Sequence, residues 1–392
     1  MHIIGTGMTP FGKFPEAGVR SLAEAALNEA LADAGVGTDA IDQVFFANAV
    51  AGLITGQEMV RGQVALRHTG LLGKPIVNVE NACASASTAF NLAVGAVASG
   101  SVDVALAIGA EKMTHPDKQR AFNAIGTAVD LAEVEELKAA MGGGDGDRSF
   151  FMDVYAAMAR AYMAHSGATA EDFAQIAVKS HAHAALNPRA QFRTPVTVAE
   201  VLGSRMISDP LTLMMCSPVG DGSAAIVVAS EDYARRLGVP SVRVLASTLV
   251  SGRDNDRSMP TGVERASKRA YEIAGVGPTD LDVIEVHDAA APAELMLYEE
   301  LGLCSPGDGP KLLASGDTQL GGRHVVNPSG GLLSKGHPVG ATGCAQLVEL
   351  ADQLRGRCGD RQVSGARIAL AENAGGFLGT DNAATVITVL SR

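Results

Sequence analysis

Ala34-Gly35-Val36-Gly37-Thr38-Asp39-Ala40-Ile41-Asp42-Gln43-Val44 returns far down the chain as Ala274-Gly275-Val276-Gly277-Pro278-Thr279-Asp280-Leu281-Asp282-Val283-Ile284. Each copy follows a helical pattern and runs into an apolar one. The upstream helices read as residues 21–34, opened by a Ser21/Glu24 capping box and closed by Gly35, and residues 263–274, closed by Gly275. A second pair sets 221–229 against 381–389, both apolar strands that close a half, and a looser third sets 102–110 against 367–373. Two copies are too few for a solenoid. The chain therefore reads as two duplicated halves packed into one pseudo-symmetric body.

Strands alternating with helices in both halves predict an α/β fold of mostly parallel sheets with right-handed crossovers, its ligands bound beyond the carboxyl ends of the strands. Residues 1–113 and 211–238 form the first half and 239–392 the second. Residues 114–210 have no counterpart in the second copy and read as an inserted cap. Within the cap, the acidic run 130–138 reads as a solvated helix face. The glycine run 141–146 reads as a hinge or loop, because no strand precedes it and no Lys-Ser/Thr closes it as a phosphate cradle requires.

Composition narrows the class. Nearly half the 392 residues are apolar, but no long uninterrupted apolar segment appears, so no membrane span is expected. A net charge of −12 without a basic, aromatic-laced cluster argues against nucleic acid as a partner. The five cysteines are odd in number and widely scattered, which fits reduced thiols better than disulfides or a metal site. The first residues lack the features of a signal peptide and Leu390-Ser391-Arg392 is no peroxisomal address, so the expected location is cytoplasmic.

Chemistry points to Val79-Glu80-Asn81-Ala82-Cys83-Ala84-Ser85-Ala86-Ser87. Cys83 sits at a sharp turn between an apolar strand (75–79) and a helix start rich in small residues, where unpaired amides and the helix dipole favour a thiolate. A lone cysteine there reads better as a small buried hydrophobe. Company changes the reading: His287-Asp288 and Gly336-His337-Pro338 supply imidazoles that suit Cys-His catalysis. His337 is also compatible with capping the following helix, and His287 with a satisfied core position. Asp288, Cys216 and Cys344 read as structural. His181 and His183 read as solvated, and the loop 187–193, with Arg189 and Arg193, offers cations to a coenzyme phosphate.

With those residues in view, the whole chain resembles the thiolase family, closest to its sterol-carrier-protein-2-type and archaeal-like branch. The resemblance rests on the Cys83 segment, on Met215-Cys216-Ser217-Pro218-Val219-Gly220-Asp221-Gly222, on His287-Asp288-Ala289-Ala290, and on Asn327-Pro328-Ser329-Gly330-Gly331 leading to Gly336-His337-Pro338-Val339-Gly340-Ala341-Thr342-Gly343. It implies a five-layer α-β-α-β-α fold and an acyl-CoA C-acyltransferase that works through an acyl-Cys83 intermediate. It further implies that His337 is the base and that His287 organises one oxyanion hole. The amides of Cys83 and Gly375 form the other, and Ser217 touches the pantetheine arm. Coenzyme A enters as substrate, with no resident cofactor and no metal. A homodimer or larger assembly is implied, and archaeal-like relatives work beside a small OB-fold partner.

The pattern breaks at one step. Many thiolases carry a second cysteine in a CxGGG loop as acid/base for the enolate, and the matching run here is Glu372-Asn373-Ala374-Gly375-Gly376. The position where sterol-carrier-protein-2 thiolases compensate, just after the His-Asp pair, is Ala289. An amide such as that of Asn373 cannot exchange a proton near neutral pH. The enolate acid/base is therefore expected to be altered. The rival readings are a thiolase-like lyase or C-acylating subunit with an OB-fold partner, and a noncatalytic acyl-CoA or lipid carrier.

Overall fold

The duplication in the sequence is a duplication of strand order. A computed structural model describes residues 1–141, 148–254 and 259–392, so the glycines 142–146 read above as a hinge lie outside the described residues. The first half contributes strands β1 (His2–Met8), β2 (Gln43–Ala47), β3 (Ile76–Val79), β4 (Val104–Glu111) and β5 (Gly222–Ala229). The second contributes β6 (Val242–Ser251), β7 (Val283–Glu285), β8 (Val325–Val326), β9 (Ile368–Phe377) and β10 (Asn382–Ser391). They line up as β8-β7-β9-β10-β6-β1-β5-β4-β2-β3, so each half repeats one order and the halves join where β1 meets β6 through His2 and Ile3.

The sheets are mixed rather than mostly parallel. In each half the first three pairing strands run parallel (β3-β2-β4 and β8-β7-β9), and the closing strand turns antiparallel to both its neighbours. The closing strand follows its neighbour without a helical crossover in the second half, and a direct turn can only return the chain antiparallel. Apolar runs alone carry no strand direction.

Side chains alternate across strands that are buried on both faces. On β4, Val104, Leu106, Ile108 and Ala110 enter an outer core with the helix Val19–Ala34, while Ala105 and Ala107 enter a central core with the helices Ser85–Ala98 and Thr342–Arg355. In the second half Leu370, Ile387 and Val389 face outward against the helices Gly262–Ala274 and Ala291–Glu300, while Ala369, Ala371 and Leu390 face the same central core. Helix, sheet, helix pair, sheet, helix is the five-layer arrangement. The two central helices touch near their first turns, where a Cβ at Gly343 would stand 2.4 Å from the Ser87 amide nitrogen. Only glycine permits that approach.

Local signals held in kind but shifted at the ends. The first repeat helix starts at Val19 behind Gly18, and Ser21 lies inside it, its hydroxyl accepting the Gly18 N–H at 3.2 Å, so Ser21 is not the cap. The second starts at Gly262 under a Thr261/Glu264 capping box. The acidic cap segment is the helix Val134–Met141, with Glu135 and Glu136 in its first turn. The largest asymmetry lies between the two last strands of each half. Residues 378–381 connect β9 to β10, whereas 112–221 connect β4 to β5 and carry the cap helices Phe150–Ser166 and Ala170–Ala185.

Candidate active site

Cys83 stands on a turn of five residues between β3 and its helix. Ala82 takes φ +48°, a left-handed conformation uncommon for a residue with a Cβ. Side chains hold that turn: Ala82 N–H donates to Glu80 Oε1 (2.5 Å), Asn81 N–H to Ser85 Oγ (2.9 Å), and Ser85 Oγ to the Ala82 carbonyl (2.6 Å). The strained geometry aims Cys83 into a cavity of 1510 Å³ shared by both halves and the cap.

Across the cavity, His287 follows β7 and His337 lies in the loop before the second central helix. The Cys83 sulfur and a ring nitrogen from each histidine all lie within 4.8 Å of one another. The two rings meet edge to face with centroids 5.1 Å apart. Thr342 Oγ1 donates its single proton to the Pro338 carbonyl (3.0 Å), so it can only accept from His337 Nδ1 (2.7 Å). That contact fixes the Nδ1–H tautomer and leaves Nε2 as a bare acceptor.

Electrostatics corrects one expectation. Burial, with the Glu111 and Glu80 carboxylates nearby, pushes the Cys83 thiol up to about 12, outweighing its own backbone N–H. The helix start therefore does not hold a resting thiolate. Burial, with His287 and Lys335 alongside, holds His337 well below 6.5, and burial alone takes His287 down to about 4. At neutral pH the site is a thiol facing two neutral imidazoles, so the proton must move during attack rather than before it.

Buried charge anchors the histidine loop. Glu111, at the end of β4, accepts N–H bonds from Ala49, Ala51 and Gly340 (2.9, 2.8 and 2.9 Å), tying the first half to the loop of His337. Lys335 and Glu285 pair at 2.9 Å with both side chains buried, and Ser329 donates to the same carboxylate. Losing one partner of such a pair costs about 3–5 kcal/mol, which fixes geometry more surely than it adds net stability. Sequence reading missed Glu111 and Thr342. The signals were a lone carboxylate ending an apolar strand and a hydroxyl five residues after the histidine.

Gly375 lies against the Cys83 turn. A Cβ there would meet the Asn81 carbonyl at 2.3 Å and the Ala84 and Cys83 amide nitrogens at 2.6 and 2.9 Å. Ser217 lines the cavity and its N–H donates to the Ala289 carbonyl (3.0 Å). Cys216 lines it too, half-buried, its Sγ 3.4 Å from the Thr212 carbonyl. Asn373 is not brought to the cavity wall: it is buried, and Ser87 Oγ donates to its Oδ1 at 2.7 Å in the central helix layer. Asp288 is buried and accepts the Leu332 N–H (2.7 Å), and Cys344 is buried in the central helix.

The cap histidines are not solvated. His181 stacks on Phe192 in the cavity wall, its Nδ1 2.9 Å from the Thr194 carbonyl, and His183 is buried between the Asn327 carbonyl and the Leu320 N–H. Arg189 turns away from the cavity to Glu29 (2.5 Å) and the Met8 carbonyl (3.1 Å), and of its loop only Phe192 lines the cavity. Lys13, Lys118 and Arg205 provide cations to the cavity lining instead.

Comparison with known proteins agrees with this arrangement. The Thiolase, N-terminal domain model matches residues 1–232, and the Thiolase C-terminal domain-like model matches 246–391. The chain is 40% identical to an acetyl-CoA acetyltransferase of Methanothermobacter thermautotrophicus, covering 96% of this chain and 97% of that one. It is 38% identical to the benzoylsuccinyl-CoA thiolase subunit BbsB of Thauera aromatica, covering 96% and 94%. Among solved structures, the Ltp2-ChsH2(DUF35) aldolase superposes with a TM-score of 0.78 at 27% identity, covering 99% and 97%. Human mitochondrial 3-ketoacyl-CoA thiolase shares the fold at a TM-score of 0.72 and 18% identity, covering 100% and 98%. Two facing halves of one sheet, a cysteine on one central helix start, a histidine before the other, and matches along nearly the whole length identify this chain as a member of the thiolase family.

Proposed function

We propose that this thiolase-family acyltransferase cleaves or forms 3-oxoacyl-CoA through an acyl group carried on Cys83, with coenzyme A as substrate rather than resident cofactor. The supporting observation is the cluster of Cys83, His287 and a tautomer-fixed His337, with donor atoms within 4.8 Å of one another inside one cavity. In the cleavage direction Cys83 Sγ attacks the 3-oxo carbon as its proton passes to His337 Nε2. The amides of Cys83 and Gly375 receive the oxyanion. The C2–C3 bond breaks, and His287, neutral at working pH, donates from Nε2 to the thioester oxygen of the departing enolate. That Nε2 is buried without a partner among the described residues, as a donor awaiting substrate would be.

The enolate step differs from that of relatives with a second catalytic cysteine. Asn373 lies outside the cavity wall, and His337 is the group that returns its proton to C2. His337 then takes the proton of incoming coenzyme A, whose sulfur attacks the acyl-Cys83 thioester. Cys83 leaves as thiolate and recovers that proton. A small acyl-CoA-binding partner subunit belongs to this reading, supported by likeness to a complex named with a DUF35 component and to a relative named as a subunit. No helix among the described residues is long and apolar enough to cross a membrane.

The test is cleavage of acetoacetyl-CoA and longer 3-oxoacyl-CoA thioesters with and without free coenzyme A. Turnover that requires coenzyme A and yields two thioesters is expected. Cleavage that proceeds equally well without it would point to lyase chemistry.

A further inference from the structure

We propose that Cys83, His287 and His337 form a reversible binding site for zinc or a similarly thiophilic divalent ion, a second use of the cavity that silences acyl transfer. One thiol and two imidazoles, with no carboxylate among the three, form a soft-to-borderline donor set that selects Zn²⁺ or Co²⁺ over Mg²⁺ or Ca²⁺. Their donor atoms already lie within 4.8 Å of one another. Tetrahedral zinc holds such atoms about 3.3–3.5 Å apart, given Zn–S of about 2.3 Å and Zn–N of about 2.0 Å, so closure needs shifts of about 1 Å or less per side chain.

Two independent observations favour a ligand at this point. His287 is buried, and its Nε2 has no hydrogen-bond partner among the described residues. His337 is oriented from behind, its Nδ1–H donating to Thr342 Oγ1, which is the outer-sphere support that metal-bound imidazoles use to present Nε2. Three protein ligands leave the fourth position open toward the cavity, where a water completes the tetrahedron. Binding replaces the Cys83 S–H bond with a Zn–S bond and releases one proton to solvent. Both imidazoles bind neutral, His287 through the tautomer that carries its proton on Nδ1 rather than the Nε2–H form that donates to substrate, and no electrons are transferred. The same event removes the nucleophile and the base, so the loaded protein cannot form an acyl-enzyme.

The experiment titrates the full chain with Zn²⁺, reading bound metal by calorimetry and released proton with a pH indicator, and repeats it with Co²⁺ to read the thiolate-to-metal charge-transfer band. One ion per chain, one proton released, the band present, and acyl transfer lost in step with occupancy and restored by EDTA are expected. Cys83→Ser should abolish the band, His287→Ala should remove tight binding, and Thr342→Val should weaken it by about 10–100-fold. Absence of a saturable site would overturn the proposal, as would a site of unchanged affinity in Cys83→Ser. Because binding and spectrum need no turnover, the outcome stands apart from whether the proposed reaction is correct.

Discussion

The two halves use the same strand, turn and central helix for opposite purposes. Between β3 and the helix Ser85–Ala98 lie only residues 80–84, a strained turn that fixes one sulfur. Between β8 and the helix Thr342–Arg355 lie residues 327–341, a loop long enough to deliver His337 across the central layer. The proposed nucleophile needs rigidity at its own backbone, which local hydroxyl and carboxylate bonds supply. The proposed base needs reach, and reach must be stiffened from outside by Glu111, by the Glu285–Lys335 pair and by Thr342. Duplication thus provides two equivalent positions facing one cavity, and loop length decides which chemistry each carries.

That division can be broken at several points. The largest effect should come from His337→Ala, which removes the delivered group: kcat/KM should fall by about 10²–10⁴-fold with thermal stability nearly unchanged. In the wild type the base must be neutral, and His337 titrates well below 6.5, so activity should persist as pH falls through 6.5 and drop only at lower pH. A kcat/KM profile centred on an ordinary imidazole value would contradict the buried-pair account.

Gly375→Ala tests the short turn. The new methyl would press on the Asn81 carbonyl and the Ala84 amide, moving one oxyanion donor, so a loss of about 10²–10³-fold in kcat is expected, along with about 1–3 kcal/mol of stability. Unchanged kcat would mean that the turn is not the oxyanion site.

Glu372→Gln probes a buried carboxylate that accepts the His287 N–H at 2.8 Å. Burial raises Glu372 from 4.5 to about 7, so the folded state disfavours its charge. Stability from this group is greatest below about 4.5 and is lost as pH rises to about 7, a cost of about 3 kcal/mol that persists above. Thermal melts should show Glu372→Gln gaining on the wild type at pH 8 and losing that advantage near pH 4.5. The smallest effect belongs to Asn373→Cys. Its thiol would face Ser87 within the helix layer, so thiolysis should stay within about threefold of wild type, and a large gain would mean that the position reaches the enolate after all.

Much of this was legible in the sequence because duplication prints itself twice. The recurrence at 34–44 and 274–284 located β2 and β7, and the matched apolar runs located β5 and β10, since strands buried on both faces leave unbroken apolar segments. Strand direction was not legible, because nothing in an apolar run records it. The cap histidines looked solvated for want of partner spacing, yet His183 is held by Asn327 and Leu320, more than a hundred residues away. The state of Cys83 was misjudged for a related reason. Local sequence reveals a helix start, while the burial that overrides it comes from Val50 and Ile54, Ala121 and Ala124 of the cap, and Val339 of the other half, which only folding brings together.

The most direct test is to quench the enzyme during turnover with a 3-oxoacyl-CoA and map the acyl group by peptide mass spectrometry. The acyl mass should appear on the peptide containing Cys83, be discharged by added coenzyme A, and be absent in Cys83→Ser. Turnover with no acyl-enzyme, or with the label on Cys216 instead, would contradict acyl transfer through Cys83.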